Sequence, residues 1–385
     1  MTDGLQVVHV VPYYPPHPGG MERVAERLVA AAAERGVGTR VITSVFGGPP
    51  PPSEDPRTVR RLRGVEVAHT PLLWRLLPEL RRMPAGAVAH VHVAHAFLPD
   101  LAVAVARRRG IPVLAHYHLD VDPSGPLGLL LRPYQRTLLR RTLQRCDVVV
   151  VPTPDYAVIV ADLHAVAPER IRVIPNGTDL PVASRPRIAP AGVWRFISVG
   201  RLSPQKNFPL LFAACAQLRL RRPDLAWTLE VYGDGELRDD LGREIDRLDL
   251  GDVVTLHRGD LDRAQLTARY DAADLFVLAT RKESFGIVLV EAMARGLPVV
   301  TTNAPGVRNV VRDGHNGRLA APDPGALAEA MAATMTDGPG YRRMSAANLA
   351  DAAGYGWPQV GERFVDLYRE LAGGHRSAAS DAGSQ

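Results

Sequence analysis

The sequence predicts an α/β protein of two doubly wound domains, each a parallel sheet with helices on both faces. Two successive runs of strand–helix alternation carry that reading, with a stretch rich in proline, alanine and arginine between them. In the first run, apolar segments at 7–11, 40–43, 65–68, 88–93, 113–116 and 148–151 read as strands. Met21, Val24, Ala25, Leu28, Val29 and Ala32 recur at helical spacing after the first of them. The segment 47–52, two glycines and four prolines, is a loop inside this run. In the second run the strands fall at 194–199, 227–232, 253–256, 275–278 and 299–301. Asn207 stands where a helix cap is needed, with Pro209 in the first turn. The natural boundary is 179–192, which gives domains at 1–180 and 181–355. Gly356-Trp357-Pro358 opens a last helix with Val360, Phe364, Leu367, Tyr368 and Leu371 on one face. This helix, 356–372, is expected to cross back onto the first domain. The tail at 373–385 is rich in serine, alanine and glycine and is expected to be disordered.

Composition narrows the function classes. The 385 residues are 46% hydrophobic and 23% charged, as in ordinary globular proteins. Cys146 and Cys215 lie far apart in apolar or helical contexts and read as reduced core residues, which suits a cytoplasmic protein. No apolar run approaches transmembrane length, and a strand-like segment follows the first four residues where a signal peptide would lie. The net charge of +5 permits anionic ligands or contact with an anionic membrane at its inner face. Arg132, Arg136, Arg140, Arg141 and Arg145 share a helix with Leu131, Leu138, Leu139 and Leu143. Such a helix suits either a lipid surface or a solvated face.

The segment Arg281-Lys282-Glu283-Ser284-Phe285-Gly286-Ile287-Val288-Leu289-Val290-Glu291 carries the most chemistry. An apolar run leads from Glu283 to Glu291, so Glu291 sits on a helix that reads as interior. A carboxylate there is costly unless something hydrogen-bonds to it. Ser284 is available as N-cap, and the first turn then offers backbone N–H groups from Phe285 to Val288 beside a small Gly286. An anion site flanked by two acceptor-only carboxylates fits a ligand with phosphates and hydroxyls, a nucleotide sugar. Arg201 and Lys206 flank a loop directly after a strand end, where a departing diphosphate would be stabilised.

Histidines cluster at His90, His92, His95, His116 and His118. Their spacings match no standard zinc set, and no cysteine lies near. His92 reads as a satisfied core group. His116 and His118 stand at a strand's carboxyl end and face the expected cleft. Asp120-Val121-Asp122 has the form of a metal-binding pair but lies in the wrong half of the chain for the nucleotide, so no metal is assigned and Asp120 reads as an acceptor contact.

Together these segments resemble the GT-B glycosyltransferases of the large retaining class called family 4, and in particular bacterial α-glycosyltransferases such as the phosphatidylinositol mannosyltransferases. The resemblance covers nearly the whole chain. It rests on Pro18-Gly19-Gly20-Met21-Glu22, Val173-Ile174-Pro175-Asn176-Gly177-Thr178-Asp179, Val199-Gly200-Arg201-Leu202-Ser203-Pro204-Gln205-Lys206-Asn207, Tyr232-Gly233-Asp234-Gly235, the two-glutamate segment and the Trp357 helix. It implies two Rossmann-like domains facing across a cleft. It implies transfer of a hexosyl or N-acetylhexosaminyl group from a nucleotide sugar, UDP-linked before GDP-mannose, to a hydroxyl of a secondary metabolite, polysaccharide or lipid. No cofactor is implied and no protein nucleophile. Arg201, Lys206, Glu283 and His118 are the implied catalytic residues. Gly19, Gly20, Gly200, Gly233, Arg258, Phe285, Gly286, Ile287, Val288 and Glu291 join Arg201, Lys206 and Glu283 around the donor. Glu283 would meet the sugar, Glu291 the ribose, and His118 the donor sugar. His116 has no counterpart in the family and lines the acceptor side or packs.

Three other activities suit the same architecture. A nucleotide-sugar 2-epimerase is disfavoured by the paired glutamates around Ser284-Phe285-Gly286. A non-catalytic nucleotide-sugar-binding protein would not need Arg201, Lys206 and both glutamates together. A dinucleotide-dependent oxidoreductase would open a domain with the glycine fingerprint, and Gly233-Asp234-Gly235 lacks its third glycine.

Overall fold

A computed structural model describes residues 4–17, 19–67, 70–118, 133–259 and 261–382. The chain forms two compact units, one of residues 1–176 with 357–385 and one of residues 177–356.

The first unit is built on a seven-stranded sheet. Its strands are β1 (Gln6–Val10), β2 (Gly38–Ser44), β3 (Val59–Leu62), β6 (Val88–Val93), β7 (Val113–Tyr117), β8 (Val148–Val151) and β9 (Ile171–Val173). They lie in the order β3-β2-β1-β6-β7-β8-β9, and each neighbouring pair is parallel. Strands buried on both faces read as unbroken apolar runs, which is why Val148–Val151 stands out in the sequence. The expected strand at 65–68 is not in this sheet. Gly64–Val67 (β4) pairs antiparallel with Thr70–Leu73 (β5) as a separate ribbon, and Val59–Leu62 takes the sheet edge instead. The edge strands β3 and β9 are short and carry arginines in place of apolar runs, so periodicity alone does not reveal them.

The last helix, Trp357–Ala382, belongs to this unit and packs on the helix Gly20–Glu34, where Arg35 donates to the Pro358 carbonyl at 2.7 Å. It continues well past Gly373, where the composition suggested a disordered tail. Its alanines are strong helix formers, and a helix already docked extends at little cost.

The second unit has six parallel strands: β10 (Trp194–Val199), β11 (Trp227–Tyr232), β12 (Val254–His257), β13 (Leu275–Leu278), β14 (Val299–Thr302) and β15 (Gly317–Ala320), in the order β12-β11-β10-β13-β14-β15. Helices on both faces make it doubly wound, with one core on each side of the sheet. β10 and β13 are neighbours whose following segments run in opposite lateral directions. That switch point is where ligands enter such sheets, beyond the carboxyl ends of the strands. The residues just after β10 are Gly200 and Arg201, and Arg281 to Glu283 follow β13 closely.

Candidate active site

Beyond the carboxyl end of β10, the chain turns through Gly200 to Asn207 and enters the helix Phe208–Arg221. Asn207 does hold the N-cap position, but in the left-handed conformation and with no side-chain cap bond. The turn is fixed from its neighbour instead. The Gly200 N–H donates to the Tyr232 carbonyl at 3.0 Å, and the Leu202 N–H to the Asp234 carbonyl at 2.9 Å. Arg238 locks the adjoining strand ends by donating to the carbonyls of Gly233, Leu256 and His257. No local pattern marks that residue. Arg258 stands exposed on the same rim, 3.8 Å from the Asp234 carboxylate.

The segment after β13 is tied to this turn. The Arg281 N–H donates to the Gln205 carbonyl at 2.9 Å, and the Gln205 side chain donates to the Lys282 carbonyl at 2.9 Å. Across the joint, Lys206 Nζ donates to Glu283 Oε1, and Thr280 Oγ1 lies 3.2 Å from the same oxygen, its one proton shared with the carbonyls of Gln205 and Lys282. The two side chains are only 14% and 8% exposed, so the pair is held largely away from water. Two residues that the sequence placed on different parts of one ligand thus stand in direct contact. Arg201, at the mouth of the same turn, is exposed.

Glu283 is positioned from behind by a third segment. Its N–H donates to the Pro305 carbonyl at 3.1 Å. Gly306 follows with φ +81°, and a Cβ there would lie 1.8 Å from the Glu283 carbonyl oxygen. Only glycine tolerates both the conformation and the contact. Neither Thr280 nor Gly306 stands out as a site residue: Thr280 lies three residues from Glu283 but carries no motif of its own, and Gly306 acts from a segment distant in sequence.

The helix bearing the second glutamate is Ile287–Ala294, starting two residues later than a Ser284 cap would give. Gly286 is the N-cap, in the left-handed conformation with φ +79°, and no side chain caps the helix. The amides of Ile287 and Val288 therefore open the helix without intrahelical acceptors. Both residues are partly exposed. Phe285 is different: its ring is buried in the core, edge-on to Tyr355 with centroids 5.5 Å apart, so only its main chain is left for a ligand. Glu291 is nearly buried and accepts from the Tyr270 hydroxyl at 3.1 Å. Burial, then the charge of Glu291, pushes the Tyr270 phenol well above its usual pKa, so it stays a donor. Tyr270 is the partner that the buried carboxylate required, and it sits on another helix, Arg263–Ala272.

In the first unit, Gly19 and Gly20 are exposed at the start of the helix Gly20–Glu34. What lies against Gly19 is Glu22 of the same helix: a Cβ at Gly19 would be 2.0 Å from its Oε2. His116 is fully buried against Phe364, with ring centroids 5.1 Å apart, and therefore packs rather than lining an acceptor surface. Its strand faces it into the layer beneath the last helix. His92 is also buried, and His118 keeps 7% exposure. His9 joins them, a histidine the sequence did not single out. Asp120 and Asp122, with Leu131 and Arg132, lie outside the described residues. Of the basic helix, Arg136, Arg140, Arg141 and Arg145 are exposed while Leu139 and Leu143 are buried. Among the described residues no helix is long and apolar enough to cross a membrane.

Comparison with known proteins identifies the family. Residues 18–181 match the family model "Glycosyltransferase Family 4", and residues 184–350 match "Glycosyl transferases group 1". A D-inositol 3-phosphate glycosyltransferase of Frankia alni is 30% identical over 72% of this chain and 73% of its own. One from Catenulispora acidiphila is 29% identical over 93% and 92%. Among solved structures, the sucrose-phosphate synthase of Thermosynechococcus elongatus superposes with a TM-score of 0.76 at 22% identity, over 95% of this chain and 98% of that one. Anabaena HepE, solved with UDP and glucose, gives 0.73 at 19% identity, over 95% and 99%. Both share the two-domain GT-B fold. The chain therefore belongs to glycosyltransferase family 4 and is a glycosyltransferase.

Proposed function

We propose that the enzyme moves a hexosyl or N-acetylhexosaminyl group from a UDP-sugar to a hydroxyl acceptor with retention at the anomeric carbon. The observation that carries this reading is the joint between Lys206 and Glu283 beside the open helix end at Gly286. One side of that joint is cationic and the other is an acceptor for hydroxyls. A leaving diphosphate and a sugar ring need those two chemistries side by side.

In this mechanism the bond from the anomeric carbon to the phosphate oxygen breaks first. Lys206, Arg201 and the amides of Ile287 and Val288 stabilise the charge that develops on the diphosphate. The acceptor oxygen attacks from the same face, and its proton passes to the departing phosphate oxygen. The products are the glycoside and the free nucleoside diphosphate. A double displacement would need a carboxylate nucleophile under the ring. Glu283 is engaged by Lys206 and Thr280 instead, which suits it to orient the sugar. Glu291, aimed by Tyr270, accepts from the ribose hydroxyls.

The relatives are D-inositol 3-phosphate glycosyltransferases, so D-inositol 3-phosphate is the first acceptor to test. A panel of nucleotide sugars with that acceptor, read by NMR of the first-formed anomeric proton, tests the reading. An α-linked product from an α-linked UDP-sugar is expected. Inversion, or epimerised donor without transfer, would contradict it.

A further inference from the structure

Five histidine rings share one face of the first unit's sheet. His9 lies on β1, His90 and His92 on β6, His116 on β7 and His118 directly after it. Parallel pairing sets His9 opposite His90 and His92 opposite His116, so strand alternation turns all of them the same way. They form two hydrogen-bonded ladders. In one, His9 Nδ1 is 3.2 Å from His92 Nε2, and His92 Nδ1 is 2.8 Å from His118 Nε2. In the other, the Tyr368 hydroxyl of the last helix is 2.7 Å from His90 Nδ1, and His90 Nε2 is 3.2 Å from His116 Nδ1. Four of the rings have no exposed surface, and only His118 retains some, at 7%. The first ladder therefore ends at the least buried of the five.

We propose that His9 and His92 are positioning residues that hold His118 as its Nδ1–H tautomer. The inference rests on the reading that His118 meets the donor sugar. A neutral imidazole has one donor and one acceptor. His92 uses both nitrogens, so the ladder has only two polarities. In one, His9 Nδ1–H donates to His92 Nε2, and His92 Nδ1–H donates to His118 Nε2. In the reverse, every proton shifts and His9 carries Nε2–H. That atom is buried without a partner. Orphaned buried N–H groups are rare in native structures, and orphaned acceptors somewhat less so. The first polarity leaves only a lone pair there. It spends His118 Nε2 as an acceptor and leaves Nδ1–H as the ring's free donor.

Burial keeps the ladder neutral. Desolvation pushes His9 and His118 down to about 3, and the neighbouring rings add to the effect at His92, which falls well below its usual value. The same nitrogens fall within 4.8 Å in two sets, His9 with His90 and His92, and His92 with His116 and His118. Ring orientation speaks against a shared ion. His90 and His92 are parallel to within 2°, and His92 and His118 to within 5°. Lone pairs of stacked rings lie in parallel planes and do not converge on one metal, as tetrahedral zinc requires.

The test uses the full-length protein with 15N-labelled histidine. Long-range proton–nitrogen correlation reads each tautomer, and the signal lost in His118→Gln identifies His118. The wild type is expected to show Nδ1–H at His118. His92→Leu removes both bonds of the middle ring and is expected to shift His118 towards Nε2–H. Turnover should then fall roughly tenfold or more at little-changed donor KM, as when other histidines lose an orienting partner. His92→Asn keeps an N–H near the place of Nδ1, so it should restore the tautomer and most of the turnover even if the leucine variant folds poorly. An Nε2–H tautomer in the wild type, an unchanged tautomer in a folded His92→Leu protein, or stoichiometric zinc in the purified protein would overturn the proposal. If the tautomers behave as stated but His118→Gln keeps full turnover, the ladder stands and the placement of His118 at the donor sugar falls.

Discussion

Replacing Lys206 by alanine should damage stability and catalysis through separate mechanisms, and the two can be told apart. Lys206 and Glu283 are 14% and 8% exposed, so salt and water screen their attraction little. Without the ammonium, Glu283 keeps the Thr280 hydroxyl at 3.2 Å. Stranding one charge of a buried pair costs about 3–5 kcal/mol. Residual exposure, and water entering the vacated space, lower that to about 2–3 kcal/mol, in the range of one lost charged hydrogen bond. For a unit of this size the melting temperature should fall by about 5–10 °C. Catalysis loses a cation at the point where negative charge develops, about 3–4 kcal/mol or a factor of 10²–10³ in kcat. In Lys206→Ala with Glu283→Gln no charge is stranded, so most of the melting temperature should return while turnover stays low. Calorimetric melting and single-turnover rates at saturating donor read the two effects. Near-normal turnover in Lys206→Ala would refute the diphosphate role, and an unchanged melting temperature would refute the pair.

The two glutamates should fail differently. Glu291→Gln, and more mildly Tyr270→Phe, should weaken binding of free UDP in calorimetric titration, whereas Glu283→Gln should leave that affinity nearly intact while turnover collapses. Equal loss of UDP affinity in both would require the donor to be placed differently. Activity should survive EDTA, because Lys206, Arg201 and the helix end already face the leaving group; complete loss restored by manganese would revive the pair Asp120 and Asp122. Replacing Arg136, Arg140, Arg141 and Arg145 together should abolish co-sedimentation with anionic vesicles if this exposed face meets lipid, and binding that is unchanged would leave it as a solvated surface.

Much of the architecture could be read from periodicity. β10, β11 and β13 fall where the apolar runs place them, because buried parallel strands are nearly continuous in apolar residues. The edge strands β3, β9 and β15 were not legible, since each is short, partly exposed and interrupted by arginine. At the site, the sequence marked Lys206, Glu283 and Glu291 but could not show which groups hold them. Lys206 and Gly306 reach Glu283 from different segments, and Tyr270 reaches Glu291 from another helix. Such pairings arise from tertiary packing and leave no local pattern. The helix start shows the same limit. Ser284 has the chemistry of a cap, yet Gly286 takes the position because the chain must turn through a left-handed conformation there. The histidines were conspicuous one by one, but only strand register brings His9 beside His92.

The central claim is that one site in the second unit holds the nucleotide sugar, with diphosphate at Lys206 and the helix end and ribose at Glu291. A crystal structure of the enzyme with UDP tests it most directly. The account predicts the diphosphate within hydrogen-bond reach of Lys206 Nζ and the amides of Ile287 and Val288, and the ribose hydroxyls on the Glu291 carboxylate. A complex with the Lys206–Glu283 pair undisturbed and UDP bound elsewhere would contradict it.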